Sequence, residues 1–523
     1  MSMRSLRKLI LICLVICCIS LLLAPIAWTA GNETKAQSNT VPIYVVLWFD
    51  TEDYILPASD DAALRLADIL TSQGVKGTFK IVGEKARTLE RRGRQDVIAS
   101  LRCHDIGYHS NFHSVHPTPA ERMRYMEWDE GVEEFDRTER GGLQDVQRIF
   151  GKTPVCYGQP GSSWAVQAYG AMKRWGMPLY LDESPHVGIQ NQPFWYCGIL
   201  NVLNLGEFVT RVELRQDSDL AKAENEFRSL TEKLQTRGGG LISVYYHPCE
   251  FIHQQFWDAV NFSRGANPPR EAWKQPPMKS KAEIEQGFRN FEAYIEFLKK
   301  APGVHFVTGS ELPGLYGDET ATREFTGSEI LGLARAMQKE ITFQTGSGFS
   351  LSPAEIFFIL NSFTATYLEK QQIPSKVELK SIYGPKRGFA AELIMGPEGG
   401  VEGPVGPFST SKKQFAATCF DVESALLTNG YIPSEIWIGA QCISPASYLA
   451  TLAAAVEKLI QKVSIPETVV ILPGNFTAGR YVAEDSPSIW KWEIFPMGFH
   501  STKIMQLAKL QAWTVKPAIL KAR

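Results

Sequence analysis

Apolar positions between residues 41 and 315 fall into two alternating patterns. Short apolar runs at 43–49 (IYVVLWF), 77–82, 105–108, 155–159, 179–182, 202–205, 241–246 (LISVYY) and 305–308 read as buried strands. Amphipathic stretches at 60–73, 121–150, 166–175, 217–236 and 280–300 lie between them. In the first of these, Ala63, Leu66, Ala67 and Leu70 share one helical face. Strands alternating with helices predict an α/β fold with a parallel sheet. About eight such repeats suit a (β/α) barrel, whose chemistry gathers at the C-terminal strand ends.

The pattern changes beyond this region. Residues 317–328 are polar and read as a linker, and 329–523 as a smaller mixed, mainly helical domain. Residues 395–408 are rich in Gly and Pro and predict a loop. Segments 351–378 and 413–437 each run from a helix into Ile-Pro-Ser and an extended piece, and a further Ser-Pro-Ala helix covers 444–460. They suggest a degenerate repeat and resemble pseudomurein-binding-type, wall-associated repeats. That resemblance implies wall or glycan docking; dimerisation or a structural role are the alternatives.

The N-terminus differs again. Residues 1–8 are basic and 9–28 almost wholly apolar, with a polar tether to residue 40. This predicts export, by a cleaved signal peptide or by an anchor nearly long enough to cross a bilayer. Either leaves the domain at 41–316 and the C-terminal region outside the cytoplasm: secreted, periplasmic or membrane-anchored. A net charge of -2 over 523 residues provides no polyanion-binding field, which argues against nucleic acid. Six of the nine cysteines lie beyond the leader without a C-x-x-C pair, so disulfides and buried thiols both stay open.

The chemistry concentrates at three strand ends. Asp50, Glu52 and Asp53 close the first strand, and three such carboxylates repel unless a cation or proton compensates. His109 and His113, four apart, would face one way on a helical turn and could clasp one ion. His104 and His116 read as supporting or surface residues. His247 follows the strand at 241–246, and Glu250-Phe251-Ile252-His253 extends from it as a stretch able to line the same cleft.

In this order the motifs resemble the polysaccharide deacetylase family, also called the NodB-homology domain or carbohydrate esterase family four. FDTEDY is similar to its first motif, HSNFH (109–113) to its second and His247 to its last. The resemblance covers about residues 41–315. It implies a distorted (β/α) barrel and a divalent ion, most often zinc, held by His109, His113 and either Glu52 or Asp53. It further implies Asp50 as base and His247 as acid, releasing acetate from an N-acetylated polysaccharide such as peptidoglycan, poly-GlcNAc or a chitin-like chain. Gln159, Pro160, Trp164 and Asp182 are the implied substrate-binding residues, with Asp182-Glu183 as the fourth motif. One departure stands out: Gly158 occupies the position of the family arginine that orients the catalytic aspartate. Two alternatives stay open, a glycan-binding pseudoenzyme that keeps the metal, and a hydrolase of non-sugar amides or esters.

Overall fold

The computed structural model describes residues 41–318, 320, 323–379, 408–461 and 464–521. The apolar leader at 9–28 and nearly all of the 395–408 run lie outside them. Among the described residues, no helix is long and apolar enough to cross a membrane.

The strands that build the site are β1 (Ile43–Thr51), β2 (Thr78–Ile81), β3 (Asp105–Tyr108), β4 (Leu179–Leu181), β5 (Phe194–Tyr196), β6 (Ile199–Val202), β7 (Val209–Thr210), β8 (Gly240–Tyr246) and β9 (Val304–Val307). Every residue of β1 is buried, which explains its unbroken apolar run: both faces of a parallel sheet are covered. β1 pairs in parallel with β2, β8 and β9, and β2 with β3. Tyr157 then bridges β3 to Tyr180 of β4, and β4 pairs with β6. This is the parallel α/β architecture expected, and its strands deliver residues 50–53, 109 and 247 to the same end of the sheet. Among the described residues no pairing joins β6 to β7. The run at 155–159 contributes only the Tyr157 bridge, and the strand expected at 202–205 lies earlier, at β6.

Val41–Arg523 forms one compact unit with two principal apolar cores. The second holds a duplicated unit. Helices Gly327–Lys339 and Pro353–Lys370 flank the hairpin Gln344–Gly346 with Phe349–Leu351, and Glu324–Thr326 pairs with Lys376–Glu378. Helices Lys412–Asn429 and Pro445–Ile460 repeat this around the hairpin Ile436–Ile438 with Gln441–Ile443, closed by Ser409–Ser411 with Thr468–Val470. The register differs from the one read in sequence, because Ser352-Pro353-Ala354 matches Ser444-Pro445-Ala446, each serine capping its helix.

The chain's last segment leaves only Trp513 in that core. Ile504, Leu507 and Val515 are buried in the first core, and Lys516–Pro517 adds an antiparallel strand to β5. Lys516 is fully buried and pairs with Asp318 at 2.6 Å and Glu355 at 2.7 Å. Tail, linker and second core thus meet at one cation. The six described cysteines beyond the leader are free thiols.

Candidate metal centre and cleft

Glu52 leaves the end of β1 with its two oxygens committed differently. Oε1 accepts the indole N–H of Trp257 at 2.9 Å. Oε2 stands 3.3 Å from His109 Nε2 and 2.8 Å from His113 Nε2. His109 Nδ1 donates to the Gly158 carbonyl at 3.0 Å, which places its proton there and leaves the Nε2 lone pair facing Glu52. His113 Nδ1 meets Ser114 Oγ at 2.6 Å, and its Nε2 is buried without a hydrogen-bond partner. Acceptor atoms of Glu52, His109 and His113 lie within 4.8 Å of one another. Three converging buried acceptors are repulsive unless a cation or proton sits among them, so these residues fit a divalent ion.

The route to that convergence is not the helical turn expected from the four-residue spacing. Residues 109–117 are loop, and Ser110 (φ 64°) and His113 (φ 58°) both take left-handed backbone conformations. Such residues cost of order 1–2 kcal/mol each and persist where surroundings over-determine them. Those surroundings are visible. Gly83 and Glu84 N–H groups donate to the Ser110 and Asn111 carbonyls, Tyr54 O–H to the Phe112 carbonyl, and Asn111 N–H to Glu139 Oε2.

Asp53 is excluded from the centre. Its Oδ1 accepts the N–H groups of Ile55 and Leu56, and its Oδ2 faces His253 Nε2 at 3.1 Å. Alternation along the chain turns it away from Glu52, so Glu52 is the carboxylate that can hold the ion.

Asp50 Oδ1 is 3.5 Å from His109 Nδ1, and its Oδ2 is 3.6 Å from His247 Nε2. Burial pushes the Asp50 carboxyl up, but His109, Lys80 and His247 together bring it below its usual range. Glu52 likewise is raised by burial yet held well below normal by His113, His247 and His109. His247 Nδ1 faces Glu250 Oε2 at 3.4 Å, and Arg211 grips that same oxygen. Burial opposes ionisation of Glu250, but Arg211 and His247 bring it down to about 2. Burial and Arg211 lower His247, Glu52 and Glu250 raise it, and the net is upward.

Two further charged residues flank the candidate site: Lys80, which sequence reasoning missed, and Glu250, which it read only as able to line the cleft. Lys80 Nζ lies 2.9 Å from Asp50 Oδ1 and 2.6 Å from Asp182 Oδ2; the contact to Asp50 is an ion pair rather than an aligned hydrogen bond. A lone lysine inside the run GTFKIV was the only signal. Glu250, three residues beyond His247, stands behind its Nδ1, whereas Asp182 pairs with Lys80. Burial pushes Asp182 up to about 7 despite Lys80.

Asp50, Glu52, His109, His113, Asp182, Arg211 and His247 line a cleft of about 370 Å³, with Gln159, Gly161, Phe256, Asp258 and Trp492 on its walls. Gln159 and Asp182 are therefore where expected. Pro160 and Trp164 are not: Pro160 is buried in a turn that Ser163 N–H closes. Trp164 is wholly buried and stacks on the His186 ring, because its indole fills the core between loops. Trp492 comes from the C-terminal segment. Its ring meets His113 edge-on at 5.2 Å, and its Nε1 donates to Asp258 at 3.0 Å. Gly161 (φ 49°) admits it, since a Cβ there would lie 2.3 Å from the indole.

No protein-family model matches this chain. No curated protein matches it either. The similar solved structures include carbohydrate esterase family four deacetylases and xylan esterases. One is a candidate polysaccharide deacetylase from Mycobacterium smegmatis, 15% identical, covering 53% of this chain and 91% of that one, with a TM-score of 0.34. Another is a family 4 acetyl xylan esterase from Clostridium thermocellum, 17% identical, covering 52% and 92%, with a TM-score of 0.28. A family four pseudoenzyme from Bacillus anthracis is 11% identical and covers 51% and 65%, with a TM-score of 0.27.

Proposed function

We propose that this cleft hydrolyses N-acetyl groups of amino sugars in an exported glycan, peptidoglycan, poly-GlcNAc or chitin-like, with Glu52, His109 and His113 holding zinc. The observation that carries the reading is the convergence of those three side chains beside a buried acid and a carboxylate-backed imidazole. A divalent ion bound there supplies Lewis acidity to an acyl carbonyl and acidifies water. Everything else falls to the chain itself. Asp50 takes the proton of the attacking water at its cleft-facing carboxylate. His247, backed at Nδ1 by Glu250, gives a proton from Nε2 to the departing amine, a poor leaving group without one. Arg211 keeps Glu250 ionised for that task. Phe256, on the cleft wall, offers a ring surface against which a sugar face can lie.

Acetate release from acetylated chito-oligomers, peptidoglycan and acetyl-xylan tests this. Wild type should release acetate from at least one N-acetylated glycan, and Asp50→Asn should lower kcat by about a hundredfold or more. Binding of these glycans without any acetate would favour the pseudoenzyme reading that Gly158 raises. Activity on acetyl-xylan alone would favour an esterase.

A further inference from the structure

The loop at Gly158 brings no cation to Asp50, but the register of the sheet does. Lys80 is the direct neighbour of Asp50 across β1 and β2, so both side chains leave the sheet on the same side. Next in register on β3 is Gly107, where a Cβ would crowd Lys80 Cγ at 2.8 Å. The ammonium is wholly buried, bridging Asp50 and Asp182 and lying 4.0 Å over the Trp48 ring. Burying an ammonium is unfavourable unless it is paired, and two carboxylates with an aromatic face answer that cost. Gly158 completes the fit. A Cβ there would stand 2.2 Å from Lys80 Nζ and 2.2 Å from Asp182 Oδ2. The volume that any side chain at 158 would need is the volume this ammonium fills.

We propose that Lys80 is the positioning residue for Asp50: clamped by Asp182 and accommodated by Gly158, its ammonium neutralises and aims the carboxylate at the tip of β1. The kinetic consequence rests on the hydrolysis proposed above, whereas the hold on Asp50 does not.

Lys80→Ala removes the cation and leaves space that n-propylammonium can refill; n-propanol matches its shape without charge. Expected for K80A is a fall in kcat of about a hundredfold, with KM within about threefold and unchanged zinc stoichiometry. Propylammonium should restore at least about tenfold and propanol nothing. Lys80→Met, which keeps the packing volume, should lose kcat alike if K80A folds poorly. A folded K80A or K80M with wild-type kcat, or equal rescue by amine and alcohol, overturns the proposal. Thermal unfolding separates this from the fate of the hydrolase reading. Should wild type release no acetate, a rise in the Tm of K80A with propylammonium alone still upholds the cation's place, and equal or absent rises refute it.

Discussion

Each imidazole of the proposed metal centre is aimed by a neighbour, Gly158 for His109 and Ser114 for His113. His113→Ala should therefore abolish stoichiometric zinc binding and cost roughly a hundredfold or more in kcat/KM, measured by metal analysis beside acetate release. A second residue-scale prediction concerns Glu139, which receives Tyr108 O–H and Asn111 N–H at one oxygen and which burial pushes up to about 7. With the folded pKa above the unfolded one, the folded state holds its proton longer. Stability is thus favoured at low pH and falls as pH rises from about 4.5 through about 7, by about 3 kcal/mol at most. Glu139→Gln should remove that decline, so the Tm difference between variant and wild type should grow across the window; a constant difference would contradict it. The convergence of Asp50, His109, His113 and His247 on one cleft was legible because spacing and strand ends mark them. Lys80 was not, and Glu250 was legible only as a residue able to line the cleft, not as the partner of His247. One is a charge hidden in an apolar run, and the other depends on a short 3-10 turn after β8. The choice of Glu52 over Asp53 needed the direction of each side chain, which sequence does not carry.

At the scale of elements, the apolar runs located β1, β2, β3 and β8 because burial on both faces writes itself into composition. The short strands β5 and β7 escaped, since so few residues leave no periodicity to read. The His109–His113 loop was misread as a helical turn for a related reason: a four-residue spacing is common to a helix and to a loop with two left-handed residues. The segment around Trp492 is the element whose role the sequence least suggested. It closes one wall of the cleft through its bond to Asp258, a carboxyl that burial and Glu52 push up to about 6. Trp492→Phe keeps an aromatic ring, though a smaller one, and removes the N–H. Its expected effect is about a tenfold loss in kcat/KM with zinc binding retained, read by steady-state kinetics and metal analysis.

For the whole molecule, the C-terminal region is as much a part of the first core as of the second. Ile504, Leu507 and Val515 fill the former, and Lys516 ties Asp318 to Glu355. A chain ended after Tyr316 should lack a cooperative unfolding transition in calorimetry, despite containing every residue of the proposed centre. The duplicated helix and hairpin unit was glimpsed in sequence through its Ser-Pro-Ala and Ile-Pro-Ser signals, but its register required the strand pairs. All of this scaffold bears on one claim, that the tip of β1 and the loop after β3 share an ion. Diffraction from zinc-loaded crystals at the zinc absorption edge tests it most directly. The account predicts one anomalous peak about 2.0–2.2 Å from Glu52 Oε2, His109 Nε2 and His113 Nε2; a loaded protein with no zinc at those three atoms would contradict it.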